Sequence, residues 1–300
     1  MCARDDLDAI TVASANAFHA EQAIAAFRHG KHVFCEKPLA LNVEQADEML
    51  RAANLSGKIH QVAFTFRYNY GVRELRRRVQ SGDIGRPFYL RVQYDNWTAL
   101  SPDWKAGWRE KQHLAGGGIL YDLGSHLFDI ARFVLGPLQI VTGFCQNIPR
   151  QRYHHFTNEL TDVETDDLAA SWFRHENGTR GQWFISRATP RFTENGYLEV
   201  IGEEAALRAG LSRGKVDTLK ISSPTRPTWE ELPLPEEARD EKPHCLNLMM
   251  RSFVDACLRG KLNQSVDASF ADGLAVQQAI AAVVEATQNL TWVRVSSSVD

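Results

Sequence analysis

The sequence predicts an α/β protein in two parts. A short parallel sheet of strand–helix–strand units comes first, and an α+β part with a large, mainly antiparallel, open-faced sheet follows. Three observations carry this. Residues 8–35 read as strand, helix, strand at the length of one crossover unit. Strand-like segments at 88–97, 139–147, 168–174, 179–187 and 196–202 then dominate. An Asn177-Gly178 pair, a strong hairpin signal, separates two of them.

The elements follow in order. Residues 8–13 are a short apolar strand. From His19 to His29, Ala20, Ala23, Ile24 and Phe27 recur at helical spacing, and Gly30 stops the helix because it tolerates positive φ. His32–Cys35 is the second strand. Asn42 with Gln45 reads as a capping box that opens a helix to about Ser56, with Gly57 as its stop. Residues 59–66 read as a further strand and 70–81 as a basic helix carrying Arg73, Arg76, Arg77 and Arg78. That basic run is either a phosphate-binding surface or a solvated helix face, and the second reading is the more ordinary. Residues 222–243 hold five of the eleven prolines and many acids, so an exposed loop is expected there. Helices over 244–259 and 267–287 close the chain. The change of character near Gly82–Pro87 divides the chain into 1–84 and 85–300.

Composition excludes several classes. With a net charge of −3 over 300 residues there is no broad attraction to nucleic acid or anionic membrane. No apolar run approaches the ~20 residues of a membrane helix, and the polar start Met1-Cys2-Ala3-Arg4-Asp5-Asp6 does not read as a secretory signal. The five cysteines form no Cys-x-x-Cys pair, so reduced thiols in the cytoplasm are expected. Cys35 lies in an apolar strand with no activating base and reads as a packed thiol, not a nucleophile.

The chemistry-bearing residues fall in two segments. Lys37 in Glu36-Lys37-Pro38 follows a parallel strand, at the edge where open α/β sheets bind ligands. Asn16 and His19 belong to the same edge, although Asn16 is equally a helix cap. A second Glu-Lys-Pro at 241–243 lies in the acidic proline-rich stretch and reads as chance. Downstream, Gly116-Gly117-Gly118 leads into Asp122 and His126, four apart on one helix face. The glycines permit backbone approach that a Cβ would block, and Gly124 keeps the surface between Asp122 and His126 low. Histidine can take up a proton near neutral pH, and an aspartate beside it can orient the ring or hold a hydroxyl. The bland reading is an acid at a helix N-terminus plus an ordinary histidine. A metal site of Asp122, His126 and Asp129 is weaker, since no further ligand cluster supports it.

Taken together, Ile10–His19, Gly30–Ala40 and Gly116–Asp129 resemble, in order and spacing, the glucose-fructose oxidoreductase/inositol dehydrogenase (Gfo/Idh/MocA) family. Residues 267–273 with the apolar helix after them look like its closing helix. The resemblance implies a nicotinamide-binding Rossmann domain and a C-terminal α/β domain for substrate binding and homo-oligomerisation through its sheet. It implies catalytic roles for Lys37, Asp122 and His126. It places Ser14, Asn16, His19, Glu36, Lys37, Trp108 and Arg109 around the cofactor, NAD or NADP. Ser14-Ala15 departs mildly from the family's Thr-Pro.

The front departs more. The family's Gly-x-Gly-x-x-Gly turn is not found, and Gly116–Gly118 does not replace it, since Tyr121 stands at the third glycine position. The chain opens where a fourth Rossmann strand is expected, so the Rossmann part reads as partial, truncated at its N-terminus by roughly 60 residues. The expected activity is hydride transfer between nicotinamide and a sugar, polyol or related alcohol or ketone. The alternative is a truncated non-catalytic fragment, or a cofactor-free binding or dimerisation protein of the same fold.

Overall fold

The computed structural model describes residues 1–148, 150–189, 196–211, 217–236 and 244–295. It opens with β1 (Ala9–Val12), α1 (His19–Arg28), β2 (His32–Cys35), α2 (Val43–Ser56), β3 (His60–Val62) and α3 (Tyr70–Gln80). The three strands form a parallel sheet in the order β1-β2-β3, with Ala9 beside His32 and Val33 beside His60. Alternate residues of β2 face opposite ways, so Val33 and Cys35 join the main core while Phe34 joins a second cluster. The helix stops act as expected, with Gly30 at φ +68° and Gly57 at φ +64°. Asn42 caps α2 by accepting the Gln45 amide at 2.9 Å, but the Gln45 side chain reaches back to Leu41 rather than to Asn42.

The second part contributes β4 (Pro87–Asp95), a short α4 (Gln112–Ala115), α5 (Ser125–Leu135), β5 (Leu138–Gln146), β6 (Gln151–Tyr153), β7 (Leu160–Asp162), β8 (Leu168–His175) and β9 (Arg180–Ser186). Then come β10 (Gly196–Gly202), β11 (Ala206–Gly210), β12 (Leu219–Ser223), β13 (Arg226–Glu231), α6 (His244–Arg259), α7 (Phe270–Asn289) and β14 (Val293–Arg294). Nine strands make one sheet in the order β13-β12-β11-β10-β4-β9-β8-β5-β14. Only the central β4–β9 pair is parallel. Asn177 and Gly178, at φ +88°, make the β8–β9 turn.

One face of this sheet is covered. Phe128 of α5 meets Trp183 edge-on at 5.1 Å and packs on Phe173. The opposite face leaves Phe144, Trp172 and Phe184 exposed. Helix α7 joins the two parts, packing on α2 and β3 as well as on β5. Helix α6 covers Phe34 and Ile59 with Met249, Phe253 and Ala256.

Two sequence expectations need correction. The strand expected over 59–66 is only His60–Val62, after which the chain turns through a 3-10 helix, Thr65–Tyr68. That turn carries Arg67 inward to a buried ion pair with Asp129, which a continued strand would not reach. The loop expected over 222–243 contains the β12–β13 hairpin instead. Pro227 is tolerated because β13 is an edge strand, where one amide has no partner to lose. The second Glu-Lys-Pro, residues 241–243, lies outside the described residues. The basic helix behaves as a solvated face over much of its length, with Arg77 and Arg78 paired to Glu74.

His175 gives the fold a pH dependence. Its ring is fully buried, with Nδ1 2.8 Å from the Gly136 carbonyl, and burial pushes its pKa down to about 4. The unfolded state therefore binds the proton more readily, and the stabilisation present above pH ~6.5 is lost as pH falls toward the folded value. The expected loss is roughly 3 kcal/mol across that window. Unfolding free energy against pH should flatten there in His175→Gln, and equal slopes in variant and parent would refute this.

Candidate active site

The parallel ladder ends with the Glu36 amide donating to the Val12 carbonyl at 2.8 Å, which delivers Glu36 and Lys37 to the carboxyl edge of the first sheet. Lys37 reaches across to the second part. Its Nζ donates to Asp122 Oδ1 at 2.5 Å and to the Asp122 carbonyl at 2.7 Å. The Lys37 side chain is 11% exposed and that of Asp122 47%, so the acid is the wetter partner. Burial pushes the Asp122 carboxyl up, but the Lys37 ammonium, with Arg109 and His126 beyond, outweighs it and holds the acid well below the usual range.

Asp122 is presented by a π-helical turn, Leu120–Gly124. Asp166 caps that turn, accepting the Gly118 amide at 2.6 Å and the Leu120 amide at 2.8 Å. The glycine run is needed for this approach. A Cβ on Gly117 would lie 2.3 Å from the Tyr121 ring, and one on Gly118 would lie 2.0 Å from the Asp166 carbonyl oxygen. Because that obstacle is backbone, Gly118→Ala is expected to cost about 1–3 kcal/mol, read as a lower thermal midpoint. An unchanged midpoint would show that the Asp166 loop yields freely. These amides are already taken by Asp166, so the glycine run is no phosphate cradle, in agreement with the sequence reading.

A narrow cleft forms around the Lys37–Asp122 pair. Asn16, Trp108, Arg109, Tyr121 and Arg187 line it with them. Asn16 is not the cap of its 3-10 turn. Its Nδ2 donates to the Ala115 carbonyl at 2.8 Å and ties the loop after β1 to the end of α4. The Arg109 guanidinium lies over the Trp108 ring at 4.3 Å. Arg187 is held by Asp167 at 2.7 Å and by Thr165 Oγ1 at 3.0 Å.

Other expected site residues lie elsewhere. His19 is fully buried, with Nδ1 3.0 Å from the Pro38 carbonyl and Nε2 3.2 Å from the Ser14 carbonyl. It therefore clamps the two loops that form the cleft edge, and does not itself face a ligand. Ser14 Oγ donates to Gln22 Oε1 at 2.9 Å. Glu36 accepts the Lys37 amide at 3.3 Å, and neither Glu36 nor Ser14 lines the cleft.

His126 lies outside the cleft lining. Its ring is 1% exposed, packed 4.8 Å from the Phe66 ring and 5.9 Å from Phe64, and it does not line the cleft. The reason is local. A π turn closes i to i+5, so residues four apart no longer stack as they would in an α-helix. Gly124 faces Leu120, Ile185 and Trp183 rather than the space between Asp122 and His126. Asp129 pairs with Arg67, and among the described residues no cluster of three His, Cys, Asp or Glu could hold a metal. Cys35 is fully buried, and burial pushes its thiol well above the usual range.

Comparison with known proteins adds what geometry cannot. The NAD-binding Rossmann-fold model of the Gfo/Idh/MocA oxidoreductase family matches residues 1–64, and the family's C-terminal-domain model matches residues 72–208. The chain belongs to the Gfo/Idh/MocA family. This Gfo/Idh/MocA protein is 28% identical over 328 aligned positions to levoglucosan dehydrogenase of Pseudarthrobacter phenanthrenivorans, covering 97% of this chain and 80% of that one. It is 34% identical over 204 positions to 1,5-anhydro-D-fructose reductase of Ensifer adhaerens, covering 67% of this chain and 56% of the relative. A solved levoglucosan dehydrogenase in complex with NADH superposes with a TM-score of 0.88 at 26% identity, over 99% of this chain and 82% of that one. No helix among the described residues is long and apolar enough to cross a membrane.

Proposed function

We propose that this Gfo/Idh/MocA oxidoreductase moves a hydride between nicotinamide and a carbinol carbon of a sugar or polyol. The carrying observation is the Lys37 ammonium, held by Asp122 at the carboxyl edge of the parallel sheet and facing a cleft. Relatives named as acting on levoglucosan, scyllo-inositol and glucosides support the substrate class.

The residues at the ends of β1 and β2 fit the nicotinamide end of a dinucleotide, with Asn16 and Lys37 walling one polar niche. When bound, the cofactor supplies or accepts the hydride. In the reduction direction Lys37 donates a hydrogen bond to the substrate carbonyl oxygen, polarises it and passes it a proton. In the oxidation direction the same steps run in reverse. Asp122 aims the ammonium and stabilises its charge. His126, buried behind the cleft against Phe64 and Phe66, acts by supporting the turn that presents Asp122 and not by contact with substrate. Trp108 and Arg109 form a stacking and hydrogen-bonding wall for a ring carrying several hydroxyls.

Residues 1–84 and 85–300 act in this reading as cofactor and substrate parts. The chain works in the cytoplasm, where its five free thiols persist. The exposed aromatic face over β5, β8 and β9 pairs with the same face of a second copy. Sedimentation should show a dimer that Trp172→Glu dissociates, and a monomeric parent protein would remove the pairing. Function itself is tested by nicotinamide reduction with a panel of inositols, glucosides and anhydrosugars. Saturable NADH binding without turnover of any of them would sink the substrate class.

A further inference from the structure

A second, much larger cavity lies away from the cleft. It holds about 1050 Å³ and is bounded by the ends of α5 and α6, the start of α7 and the turn after β3. Arg132 on its wall is ten residues beyond Asp122, about 15 Å at the rise of a helix. The site is therefore physically separate from the Lys37–Asp122 pair.

Its charges do not cancel one another. Arg67 is committed to Asp129 at 2.6 Å and Asp272 at 3.0 Å. Asp255 faces Arg259 at 3.6 Å. Asp267 is occupied by neutral donors, the Tyr68 hydroxyl, Ser252 Oγ and the Asn263 amide. Three cations on the wall then have no carboxylate in ion-pair contact among the described residues: Arg76, Arg132 and Lys261.

Two of the three are held in place. Arg76 lies over the Phe133 ring at 4.0 Å and donates to the Ser265 carbonyl at 2.5 Å. The Nε atoms of Arg76 and Arg132 are both buried with no hydrogen-bond partner. Burial lowers the pKa of both guanidiniums and the nearby Arg67 adds to it; at Arg132 the carboxylates of Asp272, Asp129 and Glu176 pull the other way without outweighing burial. Partly desolvated guanidiniums that line one cavity are stabilised by an anion that supplies acceptors to both.

We propose that this cavity binds a small-molecule oxyanion, a phosphoryl or carboxylate group, between Arg132 and Arg76, with Lys261 at the mouth. The guanidinium forks supply directed hydrogen bonds and the exposed lysine a point charge. A ligand here sits against the start of α7 and the end of α5, the two helices that pack on each other behind the cleft.

Thermal unfolding and calorimetric titration test this on the whole chain. Potassium phosphate and potassium succinate are compared with potassium chloride at equal ionic strength. The expected result is a saturable rise in midpoint with one of the two oxyanions, and which one identifies the group. Arg132→Gln should weaken that binding at least tenfold, and Lys261→Gln, at an exposed position, several-fold without disturbing the fold. Chloride matching both oxyanions in the parent protein would overturn the proposal. So would undiminished binding in Lys261→Gln together with Arg132→Gln. Because the readout is binding, failure of the redox assignment leaves the result interpretable.

Discussion

Replacing Lys37 by alanine is expected to lower kcat by roughly 10²-fold or more, with a smaller change in KM. The ammonium can both donate to the reacting oxygen and exchange a proton with it. Its two bonds to Asp122, at 2.5 and 2.7 Å, fix its direction before substrate arrives. Because Lys37 holds the Asp122 acid ionised at any pH above the usual carboxylate range, that acid contributes no ionisation to the rate profile near neutrality. His126→Ala should also cost roughly 10²-fold in kcat without abolishing substrate binding. Losses below threefold in both variants would refute the assignment. A loss confined to Lys37→Ala would reduce His126 to packing.

The second large effect is on stability. Asp129 is fully buried and accepts two hydrogen bonds from Arg67 Nε, at 2.9 and 3.1 Å, and one from Nη2 at 2.6 Å. Arg67 also donates to the Asp267 carbonyl at 3.1 Å, binding the turn after β3 to α5 and to the entry of α7. Asp129→Ala leaves a guanidinium of 5% exposure facing a cavity, and about 3–5 kcal/mol of stability should be lost. Replacing both members, Arg67→Met with Asp129→Leu, should recover part of that loss, because these two charges no longer have to be desolvated, while Asp272 loses its guanidinium and keeps its Ser269 bonds. Denaturant unfolding of the three proteins decides. Equal losses in the single and double variants would mean that shape, not charge, sets the cost.

The sequence was most legible where local chemistry decides structure. The α1 and α2 boundaries follow from Gly30, Asn42 and Gly57, whose backbone demands are local, and the β8–β9 turn follows from Asn177-Gly178. Lys37 and Asp122 could be placed because one ends a parallel strand and the other follows a glycine run. The misses share a cause. Asp166 and Arg187 act through contacts tens of residues away, and nothing in their neighbourhood marks them. The buried position of His126 was not legible, because a spacing of four suggests α-helical geometry while the chain makes a π turn just ahead of it. Strand β13 was hidden by a proline and two acids that an exposed sheet edge accepts.

The most direct test of the central claim follows the hydride. The protein is incubated with oxidised nicotinamide cofactor and a polyol or anhydrosugar deuterated at the reacting carbon, and the reduced cofactor is examined by mass spectrometry. The account predicts deuterium in the reduced nicotinamide, formed at least 10²-fold more slowly by Lys37→Ala. Reduced cofactor without deuterium, or deuterium transfer indifferent to Lys37, would contradict it.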